Sequence, residues 1–342
     1  MTEKKLRIAQ IAPIAERVPP KKYGGTERVV SLLTEGLVKR GHEVTLFSTG
    51  DSISKAKIAG TSDRALREMK IHDIYGCNEF TLMHIGNAYS MQNEFDIIHD
   101  HLAPISLPTA NMASTPVVCT MHGDFTVYNR NLFKMMTNPR IVTISGSQAN
   151  KIGGINHAGT IYHGVNVKSF PFSSKRGEYL LYVGRICMDK GTHLAIEVSQ
   201  YTGIPLVIAA KVDFADRKYF KDFIEPELSN GQIRWIGEVD ETERNKLMSK
   251  ALCLLRPVLW DEPFGLTMIE AMACGCPVVA FNRGSVSEIV EDAKTGYVVS
   301  TLDEMIDDVY VINRINRRDC RNHVEKNFNA ETMVEAHEQL YR

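Results

Sequence analysis

The sequence predicts an α/β protein of two doubly wound, Rossmann-like domains facing a cleft. Three observations carry this. Near the start a strand leads through a glycine turn into a helix and then a second strand, the β-α-β unit of a parallel sheet. The same order of strand, glycine turn and helix returns after Tyr179. The length, 342 residues, suits two domains, each with a sizeable core.

Leu6 to Ala12 (L-R-I-A-Q-I-A) reads as the first strand. A proline-containing loop follows and ends in Tyr23-Gly24-Gly25-Thr26-Glu27. Val29, Val30, Leu32, Leu33, Leu37 and Val38 then repeat at helical spacing, and Gly41 stops the helix. Val44 to Ser48 is the next strand. Gly24 and Gly25 let backbone approach a ligand at a helix N-terminus. A glycine pair is also simply a turn, and it is not the G-x-G-x-x-G of a dinucleotide fold, which argues against a dehydrogenase.

Residues 52–93 are polar and broken, with one helical patch near Tyr75 to Met91. Phe95 to His99 and Pro116 to Met121 read as strands, and His99, His101, His122 and Asp124 lie at their carboxyl ends. In an open parallel sheet those ends border the ligand crevice, so these four are expected to face one cleft. Strand-end capping is the alternative for His99. A metal is not favoured, because hard sites prefer carboxylates and no H-x3-H or D-x-D pair sits on one element. Phe125 to Arg140 mixes apolar and basic residues. It reads as an amphipathic helix packed on its domain, with an acceptor site or a membrane surface as other uses. Ile141 to Ile144 and Thr160 to His163 are further strands, and residues 167–177 are the expected linker.

The second domain opens with strand Tyr179 to Val183, then Gly184-Arg185, Lys190-Gly191 and helix His193 to Ser199. Arg presents a planar fork to phosphate oxygens and Lys a point charge. Pro205 to Ala210, Ile233 to Ile236 and Ala251 to Pro257 are strands, with Gly237 following the second and a helix over Asp240 to Ala251. Then comes W-D-E-P-F-G-L-T-M-I-E-A-M-A-C-G-C-P, Trp260 to Pro277. A loop carries Glu262, a helix begins near Phe264 or Gly265, and Gly275 with Pro277 ends it. Glu270 lies about a turn and a half inside. A helix opening after a glycine turn suits a phosphate, and carboxylates accept the hydroxyls of a diol. An anion site beside diol acceptors is the chemistry of a nucleotide sugar. Two acids at this spacing are, by themselves, also what a surface loop and an ordinary helix would show. Val278 to Phe281 and Gly296 to Val299 are the last strands. The tail from Asp303 is helical, and Arg314, Arg317, Arg318 and Arg321 read as a solvated face.

The net charge of −1 offers no field for nucleic acid. The seven cysteines are scattered in apolar contexts, Cys119 and Cys253 in strands, and Cys274 and Cys276 flank Gly275 without metal-ligand spacing. A reduced cytoplasmic protein is expected, with no signal peptide. No apolar run approaches the roughly twenty residues of a membrane span, and a peripheral attachment stays open.

The stretch E-P-F-G-L…E-A-M-A-C-G-C-P-V-V-A resembles the E-x7-E signature of the retaining glycosyltransferases of family four, which have the GT-B fold. The resemblance extends through G-G-T-E, the T-x-H ending at His122, V-G-R…K-G and on to Gly296. It is nearest to bacterial enzymes with G-G-T-E-R, A-K-V-D and W-x-E-P-F-G-L, some of them UDP-glucose transferases acting on pterins. Three positions depart from the family pattern: His163-Gly164-Val165-Asn166 stands for N-G-V-D, Lys211-Val212-Asp213 for a glycine-rich turn, and G-S-V-S-E-I-V from Gly284 lacks the second glycine the family often has.

The resemblance implies transfer of a hexose, glucose from UDP-glucose as first choice, to an acceptor hydroxyl with retention. It makes His122, Glu262, Arg185 and Lys190 the catalytic set. Gly24, Gly25, Gly184, Gly237, Phe264, Gly265, Leu266 and Glu270 join Arg185, Lys190 and Glu262 in binding the donor, with Glu262 on the sugar and Glu270 on the ribose. The donor phosphate itself takes the acceptor's proton, no cofactor is tightly bound and no metal is required. The implied domains are 1–170 on the acceptor side and 171–321 for the nucleotide sugar, with a tail of about 322–342 returning to the first. The acceptor is a small molecule, glycan or glycolipid. A GT-B sugar-nucleotide epimerase would lack the Arg185/Lys190 pair alongside E-x7-E, and product analysis separates it. A silent sugar-nucleotide-binding subunit would not hydrolyse the donor.

Overall fold

The computed structural model describes residues 4–22, 24–69 and 78–342. The chain divides into two compact units, Met1–Gly164 with Ala330–Arg342, and Val165–Asn329. The division at Val165 falls ahead of the 167–177 stretch, which lies in the second unit.

The first unit runs β1 (Arg7–Ile11), α1 (Gly25–Lys39), β2 (Glu43–Thr49), β3 (Lys57–Ser62), α2 (Asn78–Ser90), β4 (Ile97–Asp100), α3 (Leu107–Asn111), β5 (Val117–Thr120), α4 (Arg130–Met135), β6 (Arg140–Thr143), α5 (Gly146–Ala149) and β7 (His157–Thr160). Its strands form a parallel sheet in the order β3-β2-β1-β4-β5-β6-β7. The order reverses between β1 and β4, so their carboxyl ends form the switch point where such sheets take ligands. Helix α1 buries Val29, Val30, Leu33 and Leu37. Three sequence expectations change here. β3 is a strand where none was expected, because K-I-A-G-T-S at a sheet edge is mostly partly buried and lacks a clean apolar alternation. The strand expected at Thr160–His163 lies at His157–Thr160. The helix expected over Phe125–Arg140 is the six-residue α4. Of the helical patch near Tyr75 to Met91, residues 75–77 lie outside the described residues and α2 accounts for most of the rest.

The second unit runs β8 (Leu180–Arg185), α6 (Thr192–Thr202), β9 (Leu206–Lys211), the single turn α7 (Arg217–Tyr219), β10 (Ile233–Trp235), α8 (Glu241–Lys250), β11 (Cys253–Arg256), α9 (Leu266–Ala273), β12 (Val278–Phe281), α10 (Val286–Ile289), β13 (Gly296–Val299), α11 (Leu302–Val311) and α12 (Arg317–Asn327). Its strands are also parallel, in the order β10-β9-β8-β11-β12-β13, with the switch point between β8 and β11. Helix α13 (Ala330–Tyr341) follows α12 and belongs to the first unit, where Val334 packs so close to Gly36 of α1 that an added Cβ would lie 2.5 Å from its Cγ2.

Arg314 and Arg318 are exposed, as expected of a solvated face, but Arg317 and Arg321 correct that expectation. Arg317 is buried and donates to the carbonyls of Ser173 (2.8 Å), Ala251 (2.8 Å) and Ser249 (2.9 Å). Arg321 donates to those of Phe170, Ala273 and Val167, each at 2.9 Å. A guanidinium has five donors and can close several loop carbonyls at once. Sequence alone shows only the charge.

Candidate active site

In the second unit, β8 pairs with β11 over Leu180–Leu181 and Cys253–Leu254, whereas it follows β9 as far as Arg185–Lys211. Toward its carboxyl end the central pairing therefore stops, and side chains enter. Arg256, the last residue of β11, is buried and reaches Val183 O with Nη1 at 3.4 Å. Gly191, which N-caps α6 at φ 68°, fits against the next loop so closely that a Cβ would sit 1.9 Å from Pro257 O. That approach brings Lys190, beside Gly191, against the loop carrying Glu262.

Glu262 Oε2 accepts from Lys190 Nζ at 2.7 Å and from Arg256 Nη2 at 2.5 Å. Burial alone would push this carboxyl up; Lys190 and Arg256 overcome it and hold the group below the usual range. Burial pulls the Lys190 ammonium down, more than Glu262 restores. Its Nζ also lies 4.4 Å from the centre of the Trp260 ring. Two cations thus share one acid, leaving one positive charge in a nearly dry place.

Helix α9 starts just beyond. Its N-cap is Gly265 at φ 83°, no side chain caps it, and its first turn holds no acid. Its leading N–H groups and dipole add to the positive potential. Phe264 turns its ring into the core, edge-on to Phe328 at 5.9 Å, so its backbone is what it can offer a ligand. Leu266 is the first residue of the helix. Glu270, buried on the following turn, pairs with Arg244 of α8 at 3.0 Å. The two glutamates therefore have separate cationic partners. Gly184 precedes Arg185 at the end of β8. Arg185 is about one-third exposed and lies 3.5 Å from Asp216 and 3.8 Å from Asp213, which also meets Lys211 at 3.1 Å. Gly237, at φ 75°, follows β10 with nothing within 4 Å of an added Cβ.

In the first unit, Gly24 (φ 144°) N-caps α1 and Gly25 is its first residue, after β1. His99, His101 and His122 come together at the carboxyl ends of β4 and β5. His101 Nε2 lies 2.9 Å from Gln10 Oε1 and His101 Nδ1 lies 2.9 Å from His122 Nε2. The His122 ring stacks on His163 at 5.1 Å. His99 bonds Tyr341 and Thr120 through its two ring nitrogens, as a core histidine does. Burial, reinforced by the neighbouring rings, keeps His99, His101, His122 and His163 uncharged, with His122 pushed down to about 3, and burial alone takes His337 of α13 to about 4. Asp124 does not join them; both its oxygens take Lys151 Nζ at 2.9 Å.

Lys190 and Glu262 thus meet at the switch point, while Arg185 ends the adjoining strand β8 with its side chain toward Asp213 and Asp216; Arg256 and Arg244 are additions that the sequence did not single out. The available signal for Arg256 was a lone cation closing the apolar strand C-L-L-R. Arg244, inside E-T-E-R-N-K, looks like any polar helix residue. Among the described residues, no helix is long and apolar enough to cross a membrane.

Two family models match the chain in succession: Glycosyltransferase Family 4 over residues 23–169 and Glycosyl transferases group 1 over 167–332. The chain is thus a glycosyltransferase of the GT-B, family 4 type, one domain model falling mainly on each unit. It is 23% identical to the glycogen synthase of Mycobacterium tuberculosis (strain H37Rv), over 97% of this chain and 94% of that one. It is 24% identical to the phosphatidyl-myo-inositol mannosyltransferase of Mycobacterium leprae, over 86% and 83%. Among solved structures it resembles the sucrose-phosphate synthase of Thermosynechococcus elongatus (TM-score 0.80, 19% identity, 99% and 98% covered). It also resembles Anabaena HepE in complex with UDP-glucose (TM-score 0.75, 15% identity, 98% of each chain covered). At these identities the structural likeness carries the fold.

Proposed function

We propose that this protein is a retaining hexosyltransferase that moves a hexose, glucose as first choice, from a nucleoside-diphosphate sugar, UDP-glucose as first choice, to an acceptor hydroxyl. The observation that carries the proposal is the cluster of Lys190, Arg256 and Glu262 at the switch point, beside the uncapped start of α9. It combines excess positive charge with a fixed hydroxyl acceptor, which is what a diphosphate leaving group attached to a sugar requires. A neighbour in fold is known with UDP-glucose, which supports the donor class.

In this reading Arg185, Lys190 and the N–H groups around Leu266 stabilise charge developing on the leaving diphosphate. Glu262 holds sugar hydroxyls and Glu270 the ribose. For the first unit the resemblance supplies the roles: Gly24 and Gly25 offer backbone N–H to the diphosphate, and His122 stands beside the reacting sugar. His122 is uncharged at neutral pH, so it acts there as a neutral hydrogen-bonding ring. No side chain is assigned as nucleophile; the donor phosphate takes the acceptor proton on the face from which it leaves. No metal is needed, because the cations carry its charge.

The test is a thermal-shift screen of nucleotide sugars, since binding to the folded state raises the melting point. Products made from the best ligand with candidate acceptor alcohols are then read by NMR. The proposal predicts a glycoside that keeps the donor's anomeric configuration. An inverted glycoside, or an epimerised sugar without transfer, contradicts it.

A further inference from the structure

The proposed donor site leaves one buried group without a role, the Arg256 guanidinium. Its position is unusual. It ends a central strand otherwise made of Cys253, Leu254 and Leu255, it is buried, and its Nη2 meets the same oxygen of Glu262 that Lys190 meets. One carboxylate does not need two cations; a second buried cation adds desolvation cost and repels the first. The arrangement makes sense if one of the two leaves. The side chain of Lys190 is the more exposed of the pair, 17% against 4%, and sits on a flexible stem over Trp260. Arg256 is anchored at a strand end and also reaches Val183 O.

We infer that Arg256 is a positioning residue: it is the resident counter-ion of Glu262, which frees Lys190 to transfer to the diphosphate when the donor binds. This rests on the donor reading above. The sequence of events balances in charge. In the empty site Glu262 has two cations. When the ligand arrives Lys190 moves to a phosphate oxygen, and Glu262 remains ionised against Arg256 with its rotamer unchanged. Without Arg256, Lys190 would have to choose. If it stayed on Glu262 the diphosphate would lose a cation; if it left, a buried carboxylate would be unpaired and would take a proton from solvent.

The experiment is calorimetric titration of UDP into the full chain at neutral pH, repeated in buffers of different ionisation enthalpy so that proton uptake is read directly. The wild type is expected to bind UDP with no proton uptake. Arg256→Met is expected to bind about tenfold more weakly or worse and to take up a proton as it binds. Arg256→Lys should bind without uptake. The double variant R256M/E262Q, which removes both buried charges, should recover most of the affinity, again without uptake. Recovery by a second substitution is what a merely structural role would not give. R256M binding UDP like the wild type without uptake overturns the inference. So does equal weakness of R256M and R256M/E262Q, or failure of both to fold, because Arg256 would then only hold the strands together. A wild type that binds neither UDP, GDP nor ADP removes the donor reading itself, a result distinct from these.

Discussion

Arg185 and the two glutamates carry different tasks, and single substitutions separate them. Arg185→Ala is expected to cost roughly 2–4 kcal/mol of transition-state stabilisation, the scale of a lost charge-assisted donor. With its side chain about one-third exposed, it should leave fold stability nearly unchanged. Near-native turnover with stable protein would remove Arg185 from the site. Glu262 and Glu270 are better replaced by Gln, because Ala would leave the buried Arg256 and the largely buried Arg244 uncompensated. Glu262→Gln should spare or tighten nucleoside diphosphate, since its hold on Lys190 is weakened, and should damage donor use. Glu270→Gln should weaken diphosphate and donor alike, by about 1.5–3 kcal/mol. Titration calorimetry reads both; equal loss of diphosphate in the two variants would contradict the assignment of sugar to one and ribose to the other. At this scale the sequence showed the anionic and cationic residues through their glycine-flanked motifs. It could not show Arg256 or Arg244, because partner choice across strands and helices leaves no local pattern.

At the scale of elements, two devices hold the units, and each has a measurable consequence. Arg317 of α12 closes three carbonyls, so Arg317→Ala should destabilise the second unit by about 3–5 kcal/mol in denaturant unfolding. A loss below about 1 kcal/mol would return the tail to a solvated face. In the first unit His99, His101 and His122, at and just beyond the ends of β4 and β5, and His337 of α13 are held uncharged by burial. Their folded pKa values lie below the unfolded value of about 6.5, so the unfolded chain binds more protons in that window. Stability is fully present above pH 6.5. It should fall by about 1.4 kcal/mol per pH unit for each histidine as pH drops, with His337 contributing down to about 4 and His122 to about 3. A first unit equally stable at pH 7.5 and 5 would contradict the buried neutral array. The main strands and helices were legible, since buried parallel strands are continuous apolar runs and α1 shows a clear helical period. β3 was not, because an edge strand needs little apolar surface. Nor was the pairing of Asp124 with Lys151, which depends on how the loop after β5 meets the segment following α5.

For the whole molecule, two successive family models and two parallel sheets, each with a switch point, establish a glycosyltransferase of GT-B type. The central claim beyond that is a nucleotide-sugar donor held by the protein's own cations without a metal. The measurement that tests it most directly is titration calorimetry of UDP and UDP-glucose into the full chain in the presence of a chelator. The account predicts saturable binding of both ligands, unchanged when a divalent metal is restored. Binding of neither ligand, or binding that vanishes in chelator and returns only with added metal, would contradict it.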